Sequence, residues 1–222
     1  MVAVAAADQV LWEPQPGPQM ALLRCPVEDV LFGGARGGSK TDGLIGDWME
    51  HQETWGKDAV GLFLRRTYPE LEEVERRTQQ LYPAIGGNYN SSKHVWKFRN
   101  GAQLRLRHLQ RDTDVDHFQG HSYSVIYVDE VTQFPSSAPI DRLWASLRSA
   151  AGVPCHFRPT ANPGGPGHNW VKKRYIDPAP PFQPFIDPET KIERVFIPAL
   201  LDDNPILTRK DPNYWRRVEA AA

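Results

Sequence analysis

Cysteine is nearly absent from this chain: two residues in 222, Cys25 and Cys155. They lie far apart and neither belongs to a Cys-x-x-Cys or other metal-ligand spacing, so a zinc module and a disulfide framework are both excluded as organising features. A net charge is nearly absent too, at −1, which argues against a uniformly basic nucleic-acid surface without excluding local patches. No apolar run approaches the length of a membrane span. The opening MVAVAAADQV is apolar but short and without a basic n-region, so it does not read as a secretory leader. These shortages predict a cytosolic protein in a reducing compartment. What is present is ample material for one core: 40% of the residues are hydrophobic, enough for a single globular domain with a small appendage. The 20 prolines and 17 glycines gather at 14–18, 163–167 and 178–188, where they punctuate elements.

Apolar strand-like runs at 28–32, 60–64, 125–128, 155–158 and 194–198 alternate with helical patterns near 40–54, 69–81, 138–149 and 168–175. This alternation predicts a parallel sheet with helices on both faces. From His94 to Leu109 the pattern changes to period two around Arg99-Asn100-Gly101, which predicts a β-hairpin inserted in the sheet or extending it. The proline-rich stretch 178–188 divides an expected core, 1–177, from an expected lid or linker, 178–222.

The informative stretch is Leu31 to Thr41, LFGGARGGSKT. An apolar strand that ends in a glycine loop closing on Lys-Thr delivers backbone N–H groups to a phosphate. In that reading Gly34, Ala35, Arg36, Gly37, Gly38 and Ser39 wrap the phosphates, Lys40 reaches the β- and γ-oxygens, and the Thr41 hydroxyl ligates Mg²⁺. Ser39 departs from G-x-x-x-x-G-K-[ST], because the second glycine belongs there. A small serine is the mildest replacement, and Gly37 and Gly38 supply flexibility. A glycine-rich turn before a helix is the alternative reading of the loop alone.

Ninety-odd residues on, VIYVDE (Val125 to Glu130) is a short buried strand with two carboxylates at its tip. Asp129 there suits a water-mediated hold on Mg²⁺, and Glu130 suits orienting and polarising the water that attacks the γ-phosphate. Acids after a strand also serve as caps, but a phosphate loop and an Asp-Glu strand in one chain point together to nucleoside triphosphate hydrolysis. The predicted fold is α/β, a P-loop NTPase of the ASCE type, with a central mainly parallel β-sheet flanked by helices.

Several further stretches, in order, carry a resemblance: WEPQPGPQMALL at 12–23, FLRRTYPEL at 63–71, FQGHSYSVIYVDEVTQF at 118–134, TANPGG at 160–165 and FIPALLDDNPIL at 196–207. With the phosphate loop they make the chain resemble the large terminase subunit of tailed bacteriophages over essentially its whole length. The resemblance implies the N-terminal motor domain of a protein that threads double-stranded DNA into a capsid in the host cytoplasm. It implies as partners the portal protein, the small terminase subunit and a homo-oligomeric ring, a pentamer, with a monomer as the alternative for the isolated domain. It implies that Gln19 reads adenine, that Arg36 stabilises charge at the γ-phosphate, and that Thr160 and Asn162 form a coupling motif that senses the γ-phosphate. Gln19 is expected in a loop ahead of the first strand, and an exposed loop glutamine, a solvated arginine and an Asn-Pro turn are the plainer alternatives.

Two departures bear on function. Where many family members place a trans-acting arginine this chain has Gln119, which leaves Arg99, Arg105, Arg107 and Arg111 as substitutes. The family's nuclease domain has no room after DDNPIL, so a truncated piece or split gene product that does not cut DNA is expected. Asp202 and Asp203 then read as capping or loop residues. Candidate DNA contacts are Lys172, Lys173 and Arg174, with Arg76-Arg77 and Arg216-Arg217 as alternatives. A nucleotide-gated assembly module with little turnover and a helicase-like ATPase are the rival readings.

Overall fold

In a computed structural model, residues 4–6, 9–118, 120–211, 213–214 and 216–217 are described. The chain opens with a short antiparallel hairpin, β1 (Val4–Ala6) and β2 (Gln9–Trp12), and a helix, α1 (Pro18–Arg24). Then come β3 (Asp29–Gly33), α2 (Lys40–Trp55), β4 (Val60–Arg65) and α3 (Tyr68–Leu81). Three strands follow: β5 (Gly87–Asn90), β6 (Val95–Phe98) and β7 (Gln103–His108). The second half contributes β8 (Val125–Val128), α4 (Ala138–Leu143), β9 (His156–Ala161), α5 (His168–Val171), β10 (Phe185–Ile186), β11 (Glu193–Pro198) and α6 (Pro205–Lys210).

Nine strands form one sheet in the order β10-β11-β3-β9-β8-β4-β7-β6-β5. The six from β11 to β7 are all parallel, and antiparallel strands close both ends. β9 therefore lies between the strand that ends in the glycine loop and the strand that ends in Asp129-Glu130. β11 pairs with β3, so residues 193–198 belong to the sheet itself.

Both sheet faces are covered, which is why the central strands read as unbroken apolar runs. Along β3, Val30 and Phe32 enter the core shared with α1, α2 and α3, while Leu31 enters the opposite core with Phe134, Ile140 and Tyr175. The flanking helices follow from their own periodicity. Leu44, Ile45, Trp48 and Met49 give α2 one buried face, and Leu71, Val74, Thr78 and Leu81 do the same for α3. α3 begins just after Thr67 because Thr67 and Glu70 form a reciprocal capping box, with the Thr67 N–H donating to Glu70 Oε2 at 2.9 Å.

The expected hairpin forms from β6 and β7, with Gly101 at φ 93° in its turn and Asn100 Nδ2 anchored on Gln52. It extends the sheet, and β5 adds one more strand that the polar sequence GNYN does not advertise. The helical pattern at 138–149 gives only α4 and one 3-10 turn to Ser146, and that at 168–175 gives α5 and a π turn, Lys172–Ile176. Among the described residues no helix is long and apolar enough to cross a membrane, and both cysteines are free.

Candidate nucleotide site

The carboxyl ends of β3, β4, β8 and β9 deliver their following residues to one rim of the sheet, where a cleft of about 580 Å³ opens. Arg36, Gly37, Gly38, Ser39, Lys40, Thr41, Asp129, Glu130, Thr160 and Asn162 all line it. The structure thus brings together residues that the chain keeps far apart. Gly34, Ala35 and Gln19 stand outside the cleft wall.

The loop is shaped by what packs behind it. Gly34 has φ 134°, and a Cβ there would meet the Ala199 carbonyl oxygen at 2.3 Å; a Cβ on Gly38 would meet the same oxygen at 2.8 Å. The loop can lie this close to the end of β11 only with glycines. Asn204 Nδ2 donates to the Gly37 carbonyl at 2.7 Å, so the segment after β11 holds the loop from outside. Asp203 caps that segment's 3-10 turn by accepting from the Leu200 N–H at 2.7 Å, and Asn204 caps α6.

Ser39 takes the left-handed conformation, φ 51° and ψ 34°, which is the conformation a glycine would adopt freely. For serine this costs roughly 1–2 kcal/mol. Two glutamines offset it: Gln15 Nε2 donates to Ser39 Oγ at 3.0 Å and Gln19 Nε2 donates to the Ser39 carbonyl at 2.8 Å. Gln19 lies in helix α1, started by Pro18, and not in the loop the sequence suggests. Its other amide atom, Oε1, accepts from the Gln15 N–H at 2.8 Å.

Lys40 is 7% exposed and its Nζ donates to the carbonyls of Ala35 at 2.7 Å and Gly34 at 3.4 Å. Burial lowers its pKa to about 8, against the pull of Asp129 and Glu130. The Thr41 hydroxyl donates to Asp129 Oδ2 at 2.9 Å. The other oxygen of Asp129 accepts from Thr160 Oγ1 at 2.5 Å, and the same Thr160 hydroxyl accepts from the Glu130 N–H at 2.9 Å. Glu130 itself sits at φ 57°. Asn162 Nδ2 reaches Glu130 Oε1 at 3.3 Å. Burial raises the Glu130 pKa; Arg65 counters this and Asp129 adds to it.

Arg65, the last residue of β4, is the main site residue that sequence reasoning misses. Its Nη2 lies 2.5 Å from Asp129 Oδ2 and 3.2 Å from Thr41 Oγ1, and its Nη1 lies 3.8 Å from Glu130 Oε1. Burial opposes its charge, but the two carboxylates raise its pKa overall. A charge ending an apolar run, as Arg65 ends VGLFLR, is the same signal that marks Asp129-Glu130. Tyr214 also lines the cleft, as do Arg76 and Arg77 of α3. Arg77 Nε donates to Asp42 Oδ1 at 2.6 Å.

The remaining candidates distribute as follows. Lys172 pairs with Asp177, Arg174 with Asp141 at 2.6 Å, and Arg217 with Asp211. Arg99 and Arg111 are exposed. Arg105 and Arg107 border a separate cleft of about 450 Å³ with His117, His121 and Tyr123. Burial and the nearby Arg105 push the Arg107 pKa down. Gln119 lies outside the described residues.

No family model matches the sequence, and no curated protein matches it. Solved structures do. The large terminase of a thermophilic bacteriophage, in complex with ATP-γ-S, superposes with a TM-score of 0.66 at 17% identity, covering 92% of this chain and 49% of that one. The same protein in complex with ADP gives 0.65 at 17% identity over 92% and 50%. The large terminase ATPase domain of Thermus phage P74-26 gives 0.59 at 13% identity over 95% and 94%. The chain has the fold of these ATPase domains, and it spans about half the length of the nucleotide-bound terminase chains it matches.

Proposed function

We propose that this chain is an ATP-hydrolysing motor domain acting on double-stranded DNA, as in a bacteriophage large terminase. The observation that supports it most is the convergence of Lys40, Thr41, Asp129 and Glu130, with Thr160 and Asn162 behind them, on one cleft at the sheet rim. The similarity to terminases whose structures hold ADP and ATP-γ-S supports the same reading.

In this account the phosphates of ATP lie on the N–H groups of residues 34–41, and Lys40 exchanges the Ala35 carbonyl for β- and γ-oxygens. The donors suit Mg²⁺: a hydroxyl and a carboxylate are hard oxygen ligands, and Thr41, with Asp129 through water, would hold it. Among the described residues no group of three or more His, Cys, Asp or Glu could hold a metal alone, so such a cation would need phosphates and water to complete its coordination. Bound there, it would neutralise charge on the phosphate oxygens. Glu130 orients a water for attack on the γ-phosphorus and draws its proton; the bond from phosphorus to the ADP oxygen breaks, giving ADP and phosphate. A pKa raised by burial suits a carboxylate that must take up a proton.

Arg36, exposed on the loop, would add positive charge at the γ-phosphate. Gln19 would read adenine by exchanging its bonds to Gln15 and Ser39. Asn162 is proposed to transmit the state of Glu130 to the loop after β9 and to α5, whose following turn carries Lys172, Lys173 and Arg174. The segment beyond β11 serves as a lid on the phosphate loop. Portal protein, small subunit and a ring of copies in the host cytoplasm belong to the same proposal.

The test is phosphate release from MgATP by the purified chain, with and without duplex DNA. The proposal expects hydrolysis that DNA stimulates, and an Asn162→Ala variant that keeps nucleotide affinity while losing the stimulation. Absence of hydrolysis at every DNA concentration would favour a nucleotide-binding assembly module instead.

A further inference from the structure

Arg65 occupies a place where a side-chain cation is costly. Its side chain is 6% exposed, and its Nη2 sits between Asp129 Oδ2 and Thr41 Oγ1, at 2.5 and 3.2 Å, while those two oxygens bond each other at 2.9 Å. Glu130 Oε1 is 3.8 Å from Nη1. On the reading above, Thr41 Oγ1 receives the divalent cation and Asp129 Oδ2 receives one of its waters. A guanidinium and a hydrated dication seek the same lone pairs, and contacts of 2.5 Å to Asp129 and 3.2 Å to Thr41 leave no space for both.

We propose that Arg65 is the resident counter-cation of this site: it holds Thr41 and the Asp129-Glu130 pair together, and it must yield Thr41 and Asp129 when nucleotide brings its metal. The inference rests on the nucleotide reading and adds to it an internal competitor for the metal.

Three observations carry it. Two adjacent carboxylates in a half-dry cleft repel each other and also repel incoming phosphates, so a permanent positive charge between them lowers both costs. Arginine does not lose its proton in proteins, so the exchange is cation for cation and needs no proton transfer. The guanidinium is also incompletely tied in place: its Nε is buried without a hydrogen-bond partner among the described residues, an imperfection tolerable in a side chain that has a second position to occupy. Arg65 is therefore a positioning residue. It leads directly into the Thr67-Glu70 cap of α3, whose Arg76 and Arg77 border the same cleft, so its release is felt at the helix that faces the nucleotide.

The experiment measures binding of the fluorescent analogue mant-ATP to the full chain, in EDTA and across a MgCl₂ titration, for the parent, Arg65→Gln and Arg65→Lys. Removing the competitor makes the metal bind more readily, so Arg65→Gln should lower the half-saturating MgCl₂ concentration by about tenfold, a change worth ~1.4 kcal/mol. The same variant should bind mant-ATP more weakly in EDTA, because the acids are then uncompensated. Opposite movements in the two halves of one titration are the signature, since a merely structural lesion weakens both. Arg65→Lys, which keeps the charge and loses the fork, should fall between, and it carries the test if Arg65→Gln does not fold. An unchanged half-saturating MgCl₂ concentration, or parallel weakening in both halves, overturns the proposal. Failure of the parent itself to bind mant-ATP would instead overturn the nucleotide reading.

Discussion

Replacing Thr160 by valine keeps the shape of a fully buried side chain and removes only its oxygen. That oxygen does two things: it donates to Asp129 Oδ1 at 2.5 Å and accepts from the Glu130 N–H at 2.9 Å. The first bond reaches a charged group, so losing it costs about 1.5–3 kcal/mol. The second leaves a part-buried N–H without an acceptor, at roughly 1 kcal/mol or slightly more. Thr160→Val should therefore destabilise the chain by about 3 kcal/mol, a large share of the ~5–15 kcal/mol available to a domain. The larger effect falls on chemistry. Glu130 is held at φ 57°, a conformation that costs roughly 1–2 kcal/mol, and Thr160 is the side chain that pins its N–H. Freed, Glu130 relaxes, and a displacement near ~1 Å lowers hydrolysis on the order of 100-fold. Urea denaturation and phosphate release measure the two parts separately, with Thr160→Ser, which keeps both bonds, as the control. A Thr160→Val protein within about 0.5 kcal/mol of the parent, the smallest change a lost bond should bring, and equally active would refute the assignment.

Other consequences follow from the same geometry. Ser39→Gly should be nearly neutral, because relief of the left-handed strain is offset by loss of the Gln15 bond; Ser39→Val, a β-branched residue at φ 51°, should cost at least ~2 kcal/mol in thermal or urea unfolding. Lys40 has a folded pKa of about 8 against 10.5 when free. Between those values the folded chain has lost a proton that the unfolded chain keeps, so this group's contribution to stability rises with pH across the window. Nucleotide affinity should move the opposite way, falling towards about tenfold per pH unit above 8 as the ammonium is lost. Binding isotherms from about pH 7 to 9.5, bracketing that value, check this, and a flat profile would contradict it.

The parts of the site that the sequence makes legible are those carried by neighbours in the chain. Leu31 to Thr41 is a strand, loop and helix start in one short stretch, and VIYVDE is a strand with its own tip, so local chemistry identifies both. Thr160 is reached only through the family resemblance, since the apolar run at 155–158 stops before Pro159, which cannot donate to a ladder. In fact β9 continues through Pro159 to Ala161, pairing Pro159 with Val128 and Thr160 with Phe32. Arg65 is hidden for a different reason: its role comes from β4 lying beside β8, a long-range pairing no local pattern encodes. Gln19 reads as a loop residue because PQPGPQ is rich in turn formers, yet Pro18 is at the first helical position, where proline starts a helix. Arg76 and Arg77, candidate DNA contacts by charge alone, face the nucleotide cleft because α3 packs with Leu71, Val74 and Leu81 inward.

The most direct measurement is single-turnover phosphate release from MgATP by the parent and by Glu130→Gln, with mant-ATP affinity determined for both. The account predicts a parent that hydrolyses ATP and a variant that binds it comparably but releases phosphate at least about 100-fold more slowly. Equal rates in the two proteins would contradict it, because the carboxylate that meets Asn162 and Arg65 at the sheet rim would then take no part in the reaction.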